Sequence, residues 1–397
     1  MKKYLPYFTY LFFWLFYFVV TRGLFLVYHH DLTSKLNTAE IFKAFFYGLR
    51  MDLSFASYIC VFPFLLFLVA VFIKSFNPGN SLRVYSIALI IILSFLATAD
   101  LELYRAWGFR MDATPLQYLK SPKEMGASVS SAPLLLLLFI FLALSIFFSW
   151  LYFKIEKYLH IKATGKWPLL VNIVLSVFLV VVLFVPIRGG LQKIPMNQSD
   201  VYFSQKIFAN HAALNLPWNL THSLLNKNSK GNPFDYFPDA TAKSLVDSLY
   251  NTGPLKIPSI LTERRPNIIF IIIESLTAKL VGCVGGEPGV TPNLDRIAAE
   301  GLLFTNIYAA GDRSEKGQVA ILSGYPNQAI TSIIKTPTKT QNLPVLNKAL
   351  EKVGYHSSYT YGGELEFANI KSYLLNAGFQ DLVSKYSFDP SERTTSW

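Results

Sequence analysis

Two cysteines in 397 residues, Cys60 in an apolar run and Cys283 in a glycine-rich loop, exclude a disulfide framework and a cysteine-based zinc site. The six histidines (His29, His30, His160, His211, His222, His356) show no HxxxH or HxH spacing, so a histidine-rich metal site is absent as well. Charge is also scarce. Only 15% of residues are charged, against 52% hydrophobic and 15% aromatic, a balance that suits a membrane protein better than a soluble one. The formal charge of +11 invites a nucleic-acid partner. The lysines and arginines are scattered, however, and many flank apolar spans. A basic membrane protein facing anionic lipid is the plainer reading, with no nucleic acid.

What is present is uneven. The apolar residues concentrate before residue 188, in five runs near Tyr7–Tyr28, Leu53–Phe72, Val84–Ala99, Pro133–Phe153 and Pro168–Ile187. Each is long enough, or nearly so, to cross a hydrocarbon core that takes roughly 20 helical residues. Arg22 in the first run is costly at mid-membrane but tolerable near an interface or inside a bundle. The start, MKKYLPYF, has no small-residue cleavage site and reads as a retained anchor. If all five runs cross, Lys2 and Lys3, Lys74 and Arg83, and Lys154, Lys157, Lys162 and Lys166 fall on one side. The positive-inside rule makes that side cytoplasmic and everything after 188 extracytoplasmic. The stretch 189–227 mixes Tyr202, Phe203, Phe208 and Trp218 with basic residues, as segments lying along a membrane surface do. Residues 228–266 read as a linker with one short helix, Ala240–Tyr250. The domains expected are therefore a transmembrane domain over 1–188, surface helices and linker over 189–266, and an extracytoplasmic domain over 267–397.

At Asn267 the pattern changes. NIIFIII is a continuous β-branched run, as in a strand buried on both faces of a parallel sheet. Glu274 stands at its C-terminal end, where open α/β sheets keep their sites. Thr291, Pro292 and Gly301 mark the start and stop of a helix. LLFTNIYA reads as a second strand, GDRSEKG as a loop, and QVAILSG as a helix ending at Gly324. LPVLNKALEKVG, YHSSYTYGG and FANIKSYLLNAGF continue as helix, strand and helix. The alternation predicts an α/β domain with a mainly parallel sheet. Ser314 falls where the loop meets the helix, a position at which backbone N–H groups and the helix dipole favour negative charge. That suits a nucleophile of phosphoryl or sulfuryl chemistry, although serine is also a favoured N-cap. Thr305 and Ser323 are rival hydroxyls. Glu274 has the alternative of capping a helix, Asp312 and Arg313 that of a loop salt bridge, and Asp295 and Arg296 read as facing solvent or neighbouring loops.

The run TPNLDRIAAEGLLFTNIYA closely resembles the sulfatase and alkaline phosphatase superfamily. Sulfatases carry the pattern C/S-x-P-S/T-R-x-x-x-L-T-G, and counting back from Leu322-Ser323-Gly324 puts its first position on Ser314. The sequence SEKGQVAILSG lacks the Pro and Arg that direct formylglycine formation, so the resemblance implies an unmodified serine. With five preceding spans, a surface linker and a single Glu after the first strand, the chain resembles the lipoteichoic acid synthase and phosphoglycerol transferase branch. That resemblance implies several things. A divalent cation, usually manganese with magnesium or zinc as alternatives, would be held by Glu274, the Ser314 hydroxyl and a distal Asp-His pair. Ser314 would attack a membrane phospholipid such as phosphatidylglycerol and hold its headgroup covalently. Arg313, Tyr361, Gly362, Gly363 and Asn369 would lie at the headgroup, and a glycan or glycerophosphate would be the acceptor. The chain departs from its relatives in having Tyr361, Ala368 and Ile370 where some carry His, Trp and Arg.

No D-H-G stretch follows, and His356 is the lone histidine after the linker. The sequence thus reads as five spans followed by an α/β sulfatase-like domain incomplete at its C-terminus, either the first part of a longer protein or a truncated product. The function expected is headgroup transfer. The alternatives are a phosphoethanolamine transferase or sulfatase of the same superfamily, and a non-catalytic membrane protein that keeps the fold.

Overall fold

The architecture comes from a computed structural model that describes residues 5–73, 76–113, 115, 132–159, 168–192, 194–225, 236–251, 263, 265–311, 313–328 and 332–393. Lys2, Lys3, Lys74, Lys162, Lys166 and Asp312 lie outside the described residues. Two compact units emerge, one joining Met1–Lys227 with Ala310–Trp397, the other Asn228–Ala309.

In the first unit, four helices are long and apolar enough to cross a membrane: α1 (Leu5–Tyr28), α2 (Thr38–Phe72), α3 (Gly79–Trp107) and α4 (Leu134–Glu156). Two outgrow the expected spans. α2 begins at a capping box, with Asn37 Oδ1 accepting from Glu40 N at 2.8 Å and Glu40 Oε2 accepting from Asn37 N at 2.9 Å. α3 runs on past the apolar stretch to Gly108, whose φ of 72° supplies the left-handed stop. The fifth run is shorter and divided: α5 (Leu169–Val182) gives way at Leu183 to a one-turn helix, Phe184–Arg188. Pro186 has no N–H to offer the Val182 carbonyl, which accounts for the break.

Aromatic side chains of α1 fill the bundle. Tyr7, Tyr10, Phe13, Trp14, Tyr17 and Phe18 pack on Ile59, Phe64 and Phe67 of α2, Leu82, Ile90 and Leu93 of α3, and Phe148 and Tyr152 of α4. Rings meet edge to face, as between Tyr17 and Phe148 with centroids 4.7 Å apart. The hydroxyls need partners in so apolar a setting, and α3 provides them: Tyr10 pairs with Ser86 at 2.9 Å and Tyr17 with Ser94 at 3.1 Å. Pro63 inside α2 leaves the Ile59 carbonyl without its helical donor. The Tyr85 hydroxyl of α3 donates to that carbonyl at 2.9 Å and repairs the gap. Tyr85→Phe is therefore expected to destabilise the bundle by about 1–2 kcal/mol, measurable as a lowered unfolding midpoint in detergent.

The segment after the fifth run folds against the helical bundle. A turn at Gln198–Val201 and helices Ile207–Ala213 and Leu216–Leu225 pack into the end of the bundle. Ala209, Asn210, His211, Ala212 and Ala213 are all essentially buried, so no polar face remains for water. Arg22 is the reason this segment folds inward. Its guanidinium donates to Asp52 Oδ1 at 2.6 Å and to the Ala212 carbonyl, and Asn215 Nδ2 donates to the same Asp52 oxygen at 2.9 Å. Gly48 makes the crossing possible, since a Cβ there would fall on the guanidinium carbon of Arg22.

The remainder of this unit contributes helix Ser314–Ser323, short helices over 337–351, helix Ile370–Ala377, and two parallel strands, β1 (Ser358–Thr360) and β2 (Asp381–Val383). Their core joins Val319 and Leu322 to Ile334, Val345, Ile370, Tyr373, Leu374 and Phe379. The core docks on the turn 198–201: Asn197 Nδ2 donates to the Glu366 carbonyl at 2.8 Å, and Ser372 N to Ser199 Oγ at 3.1 Å.

The second unit corrects two expectations. Neither the run 267–273 nor LLFTNIYA is a strand, and Ile269, Ile271 and Phe304 are 83%, 80% and 70% exposed. A strand buried on both faces needs a neighbour on each side. Among the described residues, β1 and β2 are the only strands, and they pair with each other. The helices fare better: Asp239–Tyr250 and Pro292–Glu300 form where the sequence predicts them. Thr291 precedes the second, but its hydroxyl donates to the Leu280 carbonyl at 3.2 Å instead of capping. Asp295 faces a neighbouring loop, one of its two expected surroundings. Its Oδ1 accepts from Cys283 N at 2.7 Å, whereas Arg296 pairs with Glu300 on the exposed side.

Candidate active site

Ser314 is the first residue of a ten-residue helix, with Arg313 in extended conformation before it and Gly324 closing it at φ 61°. Its position at the opening of that helix sets the hydroxyl at the positive end of the helix dipole. Ser314 is half-buried and Arg313 exposed. The next two residues, Glu315 and Lys316, are 8% and 9% exposed despite their charge. Lys335 Nζ stands 3.9 Å from Glu315 Oε1. Sequence reasoning passed over this pair, because adjacent charges in a first helical turn ordinarily face water; only the packing of helix 314–323 on residues 332–345 encloses them.

The rival hydroxyls are differently placed. Ser323 Oγ and the Tyr373 hydroxyl share a hydrogen bond of 2.7 Å at the far end of the helix, and burial pushes the Tyr373 phenol up to about 12. Thr305 lies in an exposed turn of the second unit.

Glu274 belongs to the second unit, exposed in the turn that ends the run 267–273. Ser275 beside it has φ 61°, a left-handed conformation uncommon for a residue with a Cβ. Such backbones recur at functional sites. Ala368 and Asn369 show a second instance, with φ 49° and 65°. Asn369 is buried, and its amide meets Gln198 Oε1 and Ser199 Oγ, each at 3.4 Å. Tyr361, half-buried, continues the β1–β2 pairing through its N–H to the Val383 carbonyl at 2.8 Å. Gly363 accepts from Lys385 N at 3.2 Å, and Gly362 is exposed. His356 Nε2 and Asp381 Oδ2 meet at 2.5 Å on the exposed rim of the same sheet. They form an aspartate–histidine contact from residues far apart in sequence.

A cation needs several converging donors. Among the described residues, no three His, Cys, Asp or Glu side chains converge on one point. Glu274 and Ser314 stand in separate units.

His211, fully buried with its ring against Tyr202 and sharing a 3.0 Å hydrogen bond with Tyr104, is held down to about 3 by burial and by the nearby Arg110 charge. The folded state therefore keeps it neutral while the unfolded chain protonates below its ordinary 6.5. Stability present above pH 6.5 is expected to fall progressively towards pH 3. His211→Asn should flatten that dependence in denaturant titrations across the same range.

Comparison with known proteins now defines the class. Residues 266–395 match the family model described as Sulfatase. The chain thus carries, in its C-terminal part, a sulfatase domain of the alkaline phosphatase/sulfatase superfamily, behind four apolar helices long enough to span a membrane. The sulfatase family generally uses a divalent metal. Among individual relatives, N-acetylglucosamine-6-O-sulfatase of Bacteroides thetaiotaomicron is 34% identical over 95 residues, 24% of this chain and 17% of the relative. Human N-acetylgalactosamine-6-sulfatase is 41% identical over 59 residues, 15% of this chain and 11% of the relative. Human arylsulfatase A is 39% identical over 61 residues, 15% and 12% of the two chains. The matched stretch spans less than a fifth of the length of each of these relatives. No solved structure matches.

Proposed function

We propose that this protein is a membrane-anchored transferase that moves a phosphate-linked headgroup from a phospholipid through a covalent intermediate on Ser314. One observation carries the reading: within a sulfatase-type segment, Ser314 opens helix 314–323, and the same chain holds four membrane-length apolar helices. A soluble substrate would give those helices no purpose in catalysis, whereas a lipid donor does. In the first step Ser314 Oγ bonds to phosphorus, the bond from phosphorus to the diacylglycerol oxygen breaks, and the serine proton ends on the diacylglycerol. In the second, the oxygen of an acceptor hydroxyl bonds to phosphorus, the bond from phosphorus to Ser314 Oγ breaks, and the acceptor's proton ends on the serine oxygen. Glu274, Arg313, Tyr361, Gly362, Gly363 and Asn369 enter as the residues through which the resemblance assigns metal and headgroup contacts, with manganese the favoured ion.

The matches to sulfatases favour a second reading, sulfate ester hydrolysis. Against it stands SEKGQ from Ser314 onward, without the Pro and Arg of the formylglycine signature. The deciding experiment offers the full-length membrane protein phosphatidylglycerol, phosphatidylethanolamine and an aryl sulfate. Diacylglycerol released from phosphatidylglycerol is the expected result. Release from phosphatidylethanolamine alone would move the assignment to phosphoethanolamine transfer, aryl sulfate hydrolysis alone would establish the sulfatase, and inactivity on all three would leave a non-catalytic fold.

A further inference from the structure

A cleft of about 230 Å³ opens where the end of the helical bundle meets residues 364–386, lined by Arg50, Gln192, Ile194, Pro195, Asn197, Asp200, Glu364, Glu366 and Tyr386. It is distinct from the Ser314 helix, and neither the expected nucleophile nor the expected headgroup residues line it. Its charges are already balanced. Arg50 Nη1 reaches Asp200 Oδ1 at 2.9 Å, Lys385 Nζ reaches Glu364 Oε1 at 2.5 Å, and Lys371 Nζ reaches Glu366 Oε1 at 3.0 Å. The Tyr386 hydroxyl adds a 3.2 Å bond to Glu364.

That balance decides what the cleft suits. A cation or anion entering it would have to displace a partner from an ion pair, leaving a partly buried charge uncompensated. A neutral ligand bearing hydroxyls meets no such cost. A carboxylate offers about four lone-pair sites, so hydroxyls, which both donate and accept, can join the partners already there. Ile194, Pro195 and the Tyr386 ring offer apolar wall for the C–H faces of the same ligand. The volume falls below the roughly 300 Å³ at which pockets for drug-sized ligands begin, and matches a small unit instead.

We infer that this cleft is a subsite for a neutral polyol, a glycerol unit or a single sugar, presented beside the bundle as the hydroxyl-bearing partner in transfer. The inference rests on the transferase reading for its purpose, but its test does not. The full-length protein carrying Ser314→Ala, which cannot turn over, is placed in phosphatidylcholine nanodiscs free of sugar detergents. Glycerol, glucose and inorganic phosphate are titrated separately by saturation-transfer NMR. Binding of glycerol or glucose is expected, and the tighter of the two identifies a lipid-headgroup or a glycan source. Ile194→Trp, which fills the cleft, should weaken that binding at least about tenfold. Tyr386→Ala, at an exposed position that folding tolerates, should weaken it in the same direction. No polyol binding, binding of phosphate alone, or binding unchanged in both cleft variants would overturn the subsite. A polyol that binds here while serine-dependent transfer proves absent would leave the subsite standing and remove only the transferase reading.

Discussion

Ser314→Ala is expected to lower headgroup transfer by about 10³-fold or more while leaving the protein inserted and folded. The size of the effect follows from the role. A nucleophile that forms the covalent intermediate has no substitute in the same step, and single removals of such groups cost several orders of magnitude. The selectivity follows from the position. Ser314 is the first residue of its helix, where alanine is a good helix former, and the helix is held by Val319 and Leu322 in the core around Tyr373. Thermal unfolding should therefore move little. Ser323→Ala is the control. It removes the 2.7 Å hydrogen bond to Tyr373, at a cost of about 1 kcal/mol, and should leave transfer intact. Mass spectrometry of the peptide carrying Ser314 after incubation with phosphatidylglycerol should find the phosphoglyceryl adduct. Undiminished turnover in Ser314→Ala would remove the serine from the mechanism.

Asp52→Ala is expected to destabilise the protein by about 3–5 kcal/mol, a large share of the stability of an ordinary domain. Arg22 and Asp52 are almost wholly enclosed, with 3% and 1% of their side chains exposed. Breaking the pair by removing one member leaves a buried guanidinium with the Ala212 carbonyl as its remaining hydrogen-bond partner among the described residues. It also strips Asn215 Nδ2 of its acceptor, so the junction between α2 and helix Leu216–Leu225 loosens with it. The double change Arg22→Met with Asp52→Leu is expected to recover most of the loss, since a buried ion pair exchanged for apolar volume is often neutral or better. The yield of folded protein in detergent and its unfolding midpoint measure both effects. If Asp52→Ala alone keeps the wild-type midpoint, the pair does not hold the bundle end together.

The two predictions differ in how far the sequence anticipates them. The helix that Ser314 opens was legible because its cues are local: a glycine stop at 324, a helical run before it, and a loop of polar residues ahead. The long helices were legible for the same kind of reason, apolar length. Boundaries moved where polar residues continue a helix, as at Asp100 and Glu102 in α3, or where a capping box starts one early, as at Asn37 in α2. Asp52 was not singled out at all. It reads as a polar residue at the edge of an apolar run, and its partner lies thirty positions away on another helix. The run NIIFIII failed as a strand for a related reason: its composition permits burial on both faces, but a strand exists only when another backbone completes its hydrogen bonds.

By itself, then, the sequence determined the apolar helices, the helix that Ser314 opens, and the family segment in which that serine stands, because length, periodicity and stop residues act over a few turns of chain. Only the tertiary structure decided that residues 189–225 fold into the bundle end. It also decided that Arg22, Asp52, Asn215 and Ala212 meet there, and that Arg50 and Asp200 join Glu364, Glu366 and Tyr386 around one cleft. Those groups are distant in sequence. What brings them together is the cost of burying a charge or an amide without a partner, a cost that the folded chain escapes only by pairing them.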